Sequence, residues 1–215
     1  PEIFPVLEVI REKPVSSFLA PGANLCTALP RYRIFINGEV SEDVNEVKAL
    51  WNIGSVGFLI GCAASADGLL LENGLSVRHV EEQKAMPLYE TKLRTNPTGP
   101  FRGPVVVAMR PLSQTAVKEA YRLTESLELV QGAPLHIGAP SEIGIRSLET
   151  PDYGDAVRIA PDETPVFWSS PATMQAVLRF AKLPLAITET PGFPLVSDIR
   201  NAALPELFKK EKARV

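Results

Sequence analysis

His79 and its neighbours form the densest polar stretch of the chain, the sequence SVRHVEEQ at residues 76–83. The apolar residues around it predict a β-strand over 75–80. In a strand, His79 and Glu81 would share one face and Arg78 would lie on the other, because successive side chains alternate. A histidine beside a carboxylate can act as general acid or base near neutral pH. The alternative interpretation is a solvated strand end.

Arg110 follows an apolar run, VVVAM at 105–109, which is typical of a central strand buried on both faces. Pro111 is expected to end that strand. An arginine at this place can hold a substrate carboxylate through two hydrogen bonds. It can equally pair with a structural Asp or Glu, and the sequence does not decide between the two.

His136 and Cys62 are two further candidates. His136 lies between apolar residues in APLHIGAP, a setting in which a histidine is more often part of the core than a catalyst. Cys62 precedes a predicted helix, whose dipole would lower the thiol pKa and favour a nucleophile. The alternative is a small buried cysteine that serves packing alone.

Two segments of twenty residues share one pattern, an apolar strand, a turn of small residues and a helix. They are VGFLIGCAASADGLLLENGL at 56–75 and TPVFWSSPATMQAVLRFAKL at 164–183. Ser65 and Thr173 occupy the expected helix-capping positions, and Ser169 and Ser170 lie in the second turn. Two such units suit a layered α/β sheet, in which ligands gather where strands end. The two turns therefore predict the floor of a pocket, although tight packing would also explain their small residues.

The remaining pattern predicts nine strands and four helices. The Asn-Gly pair in INGE at 36–39 predicts a hairpin with a type I′ turn, and Ser113 is a plausible helix N-cap. Residues 81–152 are interpreted as a smaller α+β insertion in a larger α/β domain formed by 1–80 and 153–215. Predicted strands are 31–36, 57–60, 75–80, 87–93, 105–109, 135–137, 157–159, 166–168 and 185–188, and predicted helices are 46–51, 66–73, 115–127 and 173–180.

The composition limits the possible partners. The chain has 215 residues, of which 45% are hydrophobic, and a formal net charge of −3. This mildly acidic balance gives no reason to expect a nucleic acid or an anionic membrane as partner. The longest apolar stretch is far shorter than the roughly 20 residues of a membrane-spanning helix. Two distant cysteines do not form a disulfide framework, so a cytoplasmic location is expected. Because the chain begins at Pro1, we expect further residues ahead of it, and a targeting segment there would be invisible.

No phosphate-binding loop, dinucleotide fingerprint or paired zinc-ligand motif is present. A zinc site would require both histidines and both cysteines to converge. We therefore expect neither a metal nor another cofactor.

Nine motifs follow one another along the chain in a fixed order. They are LAPGANLCTALPRYRIFINGE, FLIGC, VRHVEE, MPLYET, GPVVVAMRPL, GAPLHIGAPSEIGI, PDYGDAV, PVFW and TPGFPLVSD. This ordered set resembles the YcsI-like putative hydro-lyase family, to which the amino-terminal part of mitochondrial D-glutamate cyclase is related. The resemblance covers about 19–203. Three departures concern Ala63 and Ala64 in place of Ser and Phe, Glu189 or Thr190 and Phe193 in place of histidines, and Ser169-Ser170 in place of a cysteine.

The resemblance implies an α/β fold with a three-layer domain and an inserted two-layer domain. It also implies a lyase that removes water from, or adds it to, a small acid. For the cyclase relative, the reaction closes D-glutamate into 5-oxo-D-proline.

The leading hypothesis is a hydro-lyase for a small amino or carboxylic acid. Arg110 would hold the substrate carboxylate and His79, with Glu81, would move the proton. His136 would assist, and Tyr89 would donate to the same oxygen as the N–H groups of the turns at Cys62 to Ser65 and Ser169 to Thr173. The alternative is a noncatalytic domain that binds a small acid or accompanies another enzyme, for which a His79 buried far from Arg110 would be evidence. A scaffold whose turns serve packing is a third option, and the sequence leaves open whether the chain forms a homo-oligomer.

Overall fold

The computed structural model describes residues 5–127 and 129–212, with side chains as far as 208, and has the predicted α/β character. Four strands come first along the chain, and helices and strands are mixed after them. In chain order they are β1 (Val6–Arg11), β2 (Tyr32–Ile36), β3 (Glu39–Val44), β4 (Val56–Ile60), α1 (Ser65–Glu72), α2 (Arg78–Glu81), β5 (Leu88–Arg94), β6 (Pro104–Ser113), α3 (Gln114–Glu125), β7 (His136–Ile137), β8 (Glu163–Ser169), α4 (Thr173–Ala181), β9 (Ala186–Glu189) and α5 (Leu204–Lys212).

The described strands form three sheets, in the orders β1-β4, β3-β2-β9 and β5-β6-β8-β7. Every pair of neighbouring strands is antiparallel. The two strand-turn-helix segments therefore do not share a sheet, since β4 pairs with β1 and β8 pairs with β6. The pairing of β6 with β8 also crosses the predicted boundary between 152 and 153, and the division into two domains stays a prediction.

Strand β6 is one of the two inner strands of the four-stranded sheet and is buried on both faces. Because its side chains alternate, the strand contributes to two separate cores. One core, which we call the helix-side core, joins Leu112, Val166 and Trp168 to Leu70 of α1 and Leu123 of α3. The opposite core consists of Tyr89, Val105, Val107, Met109, Ile143, Ile145, Val157 and Phe167.

Local turn chemistry was predicted correctly at two places. The β2–β3 hairpin turns at Asn37 and Gly38, with φ of 52° and 85°, as a type I′ turn requires. A Cβ atom at Gly38 would also lie 2.7 Å from the carbonyl oxygen of Arg179, so glycine is needed for space as well. At the start of α3, the Ser113 side chain accepts a hydrogen bond from the N–H of Ala116 and caps the helix.

Several predicted elements were wrong. Residues 75–80 do not form a strand, because the chain turns into α2 at Arg78, with the buried side chain of Val77 packed in the helix-side core. Residues 157–159 form no strand, and 46–51 contain only a 3-10 turn at Lys48–Leu50. Strand β6 continues through Pro111 to Ser113. Pro111 faces Pro165 of β8, a position at which neither residue needs an N–H to form a ladder hydrogen bond.

Candidate functional site

An ion pair between Asp67 and Arg110 lies inside the protein on the helix-side face of β6. Asp67 comes from the first turn of α1, and Arg110 is completely buried. Arg110 Nε lies 2.8 Å from Asp67 Oδ1, and Arg110 Nη2 lies 2.6 Å from the same oxygen. The guanidinium carbon also lies 4.9 Å from the centre of the Trp168 ring. Of the two interpretations of Arg110, the geometry favours the internal pair, since none of its surface is open to a substrate.

His79 joins this pair from α2. Its Nε2 lies 3.1 Å from Asp67 Oδ2, and the histidine side chain is 8% exposed. Burial by itself raises the pKa of Asp67, but the positive charge of Arg110 and the hydrogen bond from His79 outweigh burial, so that the pKa is lowered overall. Asp67, His79 and Arg110 thus form one buried polar cluster.

Glu81 does not lie beside His79, which corrects the expectation from a strand. In α2, the Glu81 carboxylate accepts hydrogen bonds from Ser76 Oγ at 2.7 Å and Arg78 Nε at 3.3 Å. Residues two apart in a helix point in different directions, whereas residues two apart in a strand share a face. The carboxylate partner of His79 is therefore Asp67, and Glu81 belongs to a separate contact with Arg78.

Cys62 lies in the turn between β4 and α1, half-buried. Burial and the negative charge of Glu189 raise the pKa of its thiol to about 11, and Asp67 adds to this effect. The N–H groups of Ala64 and Ser65 favour the thiolate but do not compensate. The structure thus contradicts the expectation of a thiol activated by the helix dipole, and Cys62 is protonated at neutral pH.

Glu189, at the end of β9, carries the most perturbed carboxyl group beside this turn. Burial raises its pKa to about 7. Among residues 5–127 and 129–212, no hydrogen bond reaches its carboxylate, whereas its backbone oxygen accepts from Gln175 Nε2 at 3.1 Å. Because the Cys62 thiol responds to the charges of both Glu189 and Asp67, these two carboxyl groups lie near the same turn.

Most polar groups of the turn after β8 have a structural role. Thr173 is the first residue of α4 rather than its cap, and its hydroxyl accepts from the N–H of Val106 at 2.9 Å. Ser170 donates its N–H to the Val106 oxygen, and its Oγ accepts from the N–H of Ala172. Ser169 pairs with Val107 and shares the face of Phe167, away from Arg110. These contacts hold α4 against β6, as tight packing would require.

Ser65 also differs from its predicted role. It is the first residue of α1, and the preceding Ala64 occupies the N-cap position, where it forms no side-chain cap hydrogen bond. The carbonyl oxygen of Ser65 accepts a hydrogen bond from Asn201 Nδ2 at 2.6 Å. The backbone of Ser65, rather than its hydroxyl group, therefore forms the contact that holds this turn.

Tyr89 lies in the opposite core, His136 lies beside Phe167 of that core, and neither is brought together with His79. Tyr89 is buried beside Val107, donates to the Leu148 oxygen at 2.7 Å, and burial raises its pKa to about 12. His136 Nε2 lies 2.9 Å from the Ala139 oxygen, and its ring centre is 5.8 Å from that of Phe167. The sheet itself separates both residues from the cluster around Asp67, which corrects their expected place in one site.

Two open surface clefts lie elsewhere. The first has a volume of about 410 Å³, and Ser76 and Glu163 are among the residues that line it. The second has a volume of about 310 Å³, and its lining includes Arg11 and Ser55. The candidate residues line neither cleft, so we assign the site from its side-chain chemistry. In the described ranges, no group of three or more His, Cys, Asp or Glu side chains is placed to hold a metal ion. Each helix there is too short or too polar to span a membrane.

Comparison with known proteins identifies the family to which the chain belongs. The family described as D-glutamate cyclase matches residues 56–198, which include β4, the candidate cluster and β9. The chain belongs to the D-glutamate cyclase family. The resemblance seen in the ordered sequence motifs is thereby confirmed.

Named relatives of this D-glutamate cyclase family member are similar over most of its length. A protein named "Putative hydro-lyase" from Bacillus licheniformis is 43% identical over 92% of the chain and 76% of its own length. A namesake from Rhodopseudomonas palustris is 46% identical over 84% of the chain and 66% of its own length. "Putative hydro-lyase YcsI" from Bacillus subtilis is 42% identical, over 94% and 79% respectively. The chain thus spans about two thirds to four fifths of the length of these relatives.

The sequence analysis does not single out two residues of the site. Asp67 falls inside a predicted helix, and Glu189 is one of the departures from the family pattern. A polar residue in the first turn of a helix that otherwise packs in the core was the available signal for Asp67.

Proposed function

We propose that this chain is a hydro-lyase for a small amino or carboxylic acid, and that closure of D-glutamate to 5-oxo-D-proline with loss of water is the first reaction to test. The family description and the names of the relatives support this class of reaction. The observation that carries the proposal is Glu189, a carboxyl group without a hydrogen-bond partner in the described chain and with a pKa of about 7.

Ring closure requires a group that can both accept and donate protons. The amine forms a bond to the side-chain carboxyl carbon of the substrate, and a C–O bond of that carboxyl group breaks. The ammonium group gives up two protons, and the departing oxygen gains two protons and leaves as water. A carboxyl group with a pKa near 7 is populated in both protonation states at neutral pH, which suits general acid–base catalysis. We assign this role to Glu189.

The cluster around Asp67 provides a second proton-transfer group. When His79 Nε2 donates to Asp67, Nδ1 carries the free lone pair, and within the described ranges no hydrogen bond reaches that atom. Asp67 holds the ring in this tautomer, and Arg110 holds Asp67. Arg110 is therefore a positioning residue in this proposal and does not bind the substrate carboxylate.

Negative charge that develops on the substrate needs other donors. The N–H group of Ala64 lies beside the Cys62 thiol at the beginning of α1, whereas the N–H of Ser65 donates to the Cys62 carbonyl oxygen at 3.1 Å. We assign the Ala64 N–H to this charge, because N–H groups at a helix N-terminus favour an anion.

The test is turnover of the purified chain. D-glutamate, L-glutamate and 5-oxo-D-proline are incubated separately, and the products are followed by NMR. We expect one acid to be converted and Glu189→Gln to lower kcat by about 10²–10⁴-fold. The exposed Glu149→Gln is the matched control. Full activity of Glu189→Gln would refute the role of this residue, and a panel without turnover would favour the noncatalytic alternative.

A further inference from the structure

Gln131, in the segment after α3, lies against the buried ion pair although its sequence surroundings are unremarkable. The residue is only 7% exposed. Its amide has two polar neighbours, the carbonyl oxygen of Ala63 and Nη1 of Arg110. Ala63 belongs to the turn before α1, so this side chain connects three separate segments of the chain.

The chemistry of these neighbours determines how the amide is oriented. Arg110 offers only donors and a carbonyl offers only an acceptor. The amide oxygen therefore accepts from Arg110 Nη1 at 3.2 Å, and the amide nitrogen donates to the Ala63 oxygen at 2.8 Å. Arg110 Nη2 donates to the same Ala63 oxygen at 3.0 Å, which closes a ring of three hydrogen bonds.

This ring restrains the guanidinium group on the side away from Asp67. Nε and Nη2 of Arg110 bind Asp67, Nη2 also binds Ala63, and Nη1 binds Gln131. A neutral amide completes the set without adding a second negative charge. Asp67 is therefore left as the sole carboxylate on Arg110 among the described residues, with its other oxygen on His79.

We propose that Gln131 is a positioning residue of the reaction, which fixes Arg110 and, through Asp67, the orientation of the His79 ring. The proposal rests on the proposed function for its effect on turnover. The coupling between Gln131 and His79 is a separate physical consequence and can be measured without a substrate.

That coupling follows from the charges around His79. Asp67 faces it from α1 and Arg110 belongs to β6, with Cys62 and Glu189 beyond Asp67. On its own helix, Arg78 is held by Glu81 and by Glu163. Replacing Gln131 by a carboxylate would partly neutralise Arg110 and compete with Asp67 for it. Both effects loosen Asp67 from Arg110 and thereby disturb the hydrogen bond between Asp67 and His79.

The first experiment compares the ring nitrogen signals of the histidines by NMR, at one fixed pH, in the wild type, Gln131→Glu and Gln114→Glu. The chain has two histidines, so His136 provides an internal reference on the other side of the sheet. Gln114 is exposed at the start of α3, and its substitution adds the same charge at a distance. We expect the ring nitrogen signals of His79 to move in Gln131→Glu and not in Gln114→Glu, because only the first substitution disturbs the contacts of Arg110 and Asp67. His79 signals in Gln131→Glu that match those in Gln114→Glu would overturn the proposal.

Gln131→Met separates positioning from packing, because methionine preserves the length of the side chain but cannot form the ring. We expect kcat to fall roughly tenfold, the value of one buried hydrogen bond to a charged group, with KM nearly unchanged. Unchanged kcat in Gln131→Met would overturn the positioning role. This test does not depend on Gln131→Glu, so it remains decisive if that variant does not fold. If the wild type turns over no acid while the His79 ring signals still move in Gln131→Glu, the proposed function fails and the coupling stands.

Discussion

Arg110 and His79 bind opposite oxygens of one carboxylate, with Arg110 Nε 2.8 Å from Asp67 Oδ1 and His79 Nε2 3.1 Å from Asp67 Oδ2. The arginine comes from the central strand and the histidine from the single turn of α2. A carboxylate between them balances the buried charge of Arg110 and orients the histidine ring. Stability and chemistry therefore depend on the same side chain, which makes Asp67 the first residue to replace.

Asp67→Asn should strongly destabilise the protein. The substitution preserves the shape of the side chain but leaves the charge of a fully buried Arg110 without its counter-ion. Removing one partner of a buried ion pair costs about 3–5 kcal/mol. We expect a loss of about 3 kcal/mol in the free energy of unfolding, measured by urea denaturation at pH 7. Asp162 is exposed, so Asp162→Asn should change the free energy of unfolding by less than about 0.5 kcal/mol.

The difference in the free energy of unfolding between the wild type and Asp67→Asn should become smaller as the pH falls. The folded state lowers the pKa of Asp67, because Arg110 and His79 outweigh the effect of burial. A lowered pKa stabilises the fold at pH values above the unfolded pKa of about 3.9, and this contribution is lost as the pH falls through the folded value. The difference between wild type and Asp67→Asn should thus shrink in acid. A difference below about 1 kcal/mol at pH 7 would contradict the ion pair.

The two histidines should differ sharply in their effect on turnover. His79→Gln removes a proton-transfer group of the proposed site and should lower kcat by about 10²-fold or more. His136 lies on the other side of the sheet beside Phe167, so His136→Gln should change kcat by less than about threefold. Steady-state kinetics of both variants on the acid that the wild type converts provides the measurement. Equal losses would mean that the site extends through the sheet or that either variant damages the fold.

Local signals in the sequence predicted the parts of the fold that neighbouring residues determine. Asn37 and Gly38 predicted the hairpin turn, and Ser113 predicted the start of α3. The exposed and mostly polar strand β3 lacks an apolar alternation, so it was not predicted. The prediction of a strand over 75–80 was wrong, because Leu75 and Val77 pack in the helix-side core without pairing to another strand.

The candidate site was predictable only in part. Arg110 and His79 were identified by residue type, but their common partner Asp67 is 43 residues from one and 12 from the other. Such contacts arise when α1 and α2 pack on β6, which one sequence does not reveal. The pKa of Glu189 depends likewise on burial at the end of β9, a consequence of packing rather than of its neighbours in sequence.

Cys62 should be an unreactive thiol. Burial and the charge of Glu189 raise its pKa to about 11, so the thiolate is scarce at pH 8. In a Cys26→Ser background, alkylation by iodoacetamide should be about 10–100-fold slower than that of a free thiol. Adding Glu189→Gln should accelerate it, because one of the charges that disfavours the thiolate is removed. Rapid alkylation, or loss of turnover in Cys62→Ser beyond about threefold, would restore the nucleophile hypothesis.

Glu189 should make the protein less stable as the pH rises from about 4.5 to about 7. Burial raises the pKa of this carboxyl group from an ordinary 4.5 to about 7, so the folded state binds the proton more tightly than the unfolded state. The stabilisation is then complete below the unfolded pKa and is lost as the pH rises through the folded pKa. Since the residue is only half-buried, we expect a change of about 1–3 kcal/mol.

Glu189→Gln isolates this contribution, because the amide remains neutral at every pH. Urea denaturation of both proteins at intervals from pH 4 to pH 8.5 gives the difference in the free energy of unfolding, from which groups common to both cancel. The variant should gain stability relative to the wild type as the pH rises, with the midpoint of that gain near 7. The exposed Glu149→Gln should show no such gain. A flat difference for Glu189→Gln would mean that this carboxyl group is well hydrated in the folded state, and would remove the physical basis for assigning it the acid–base role.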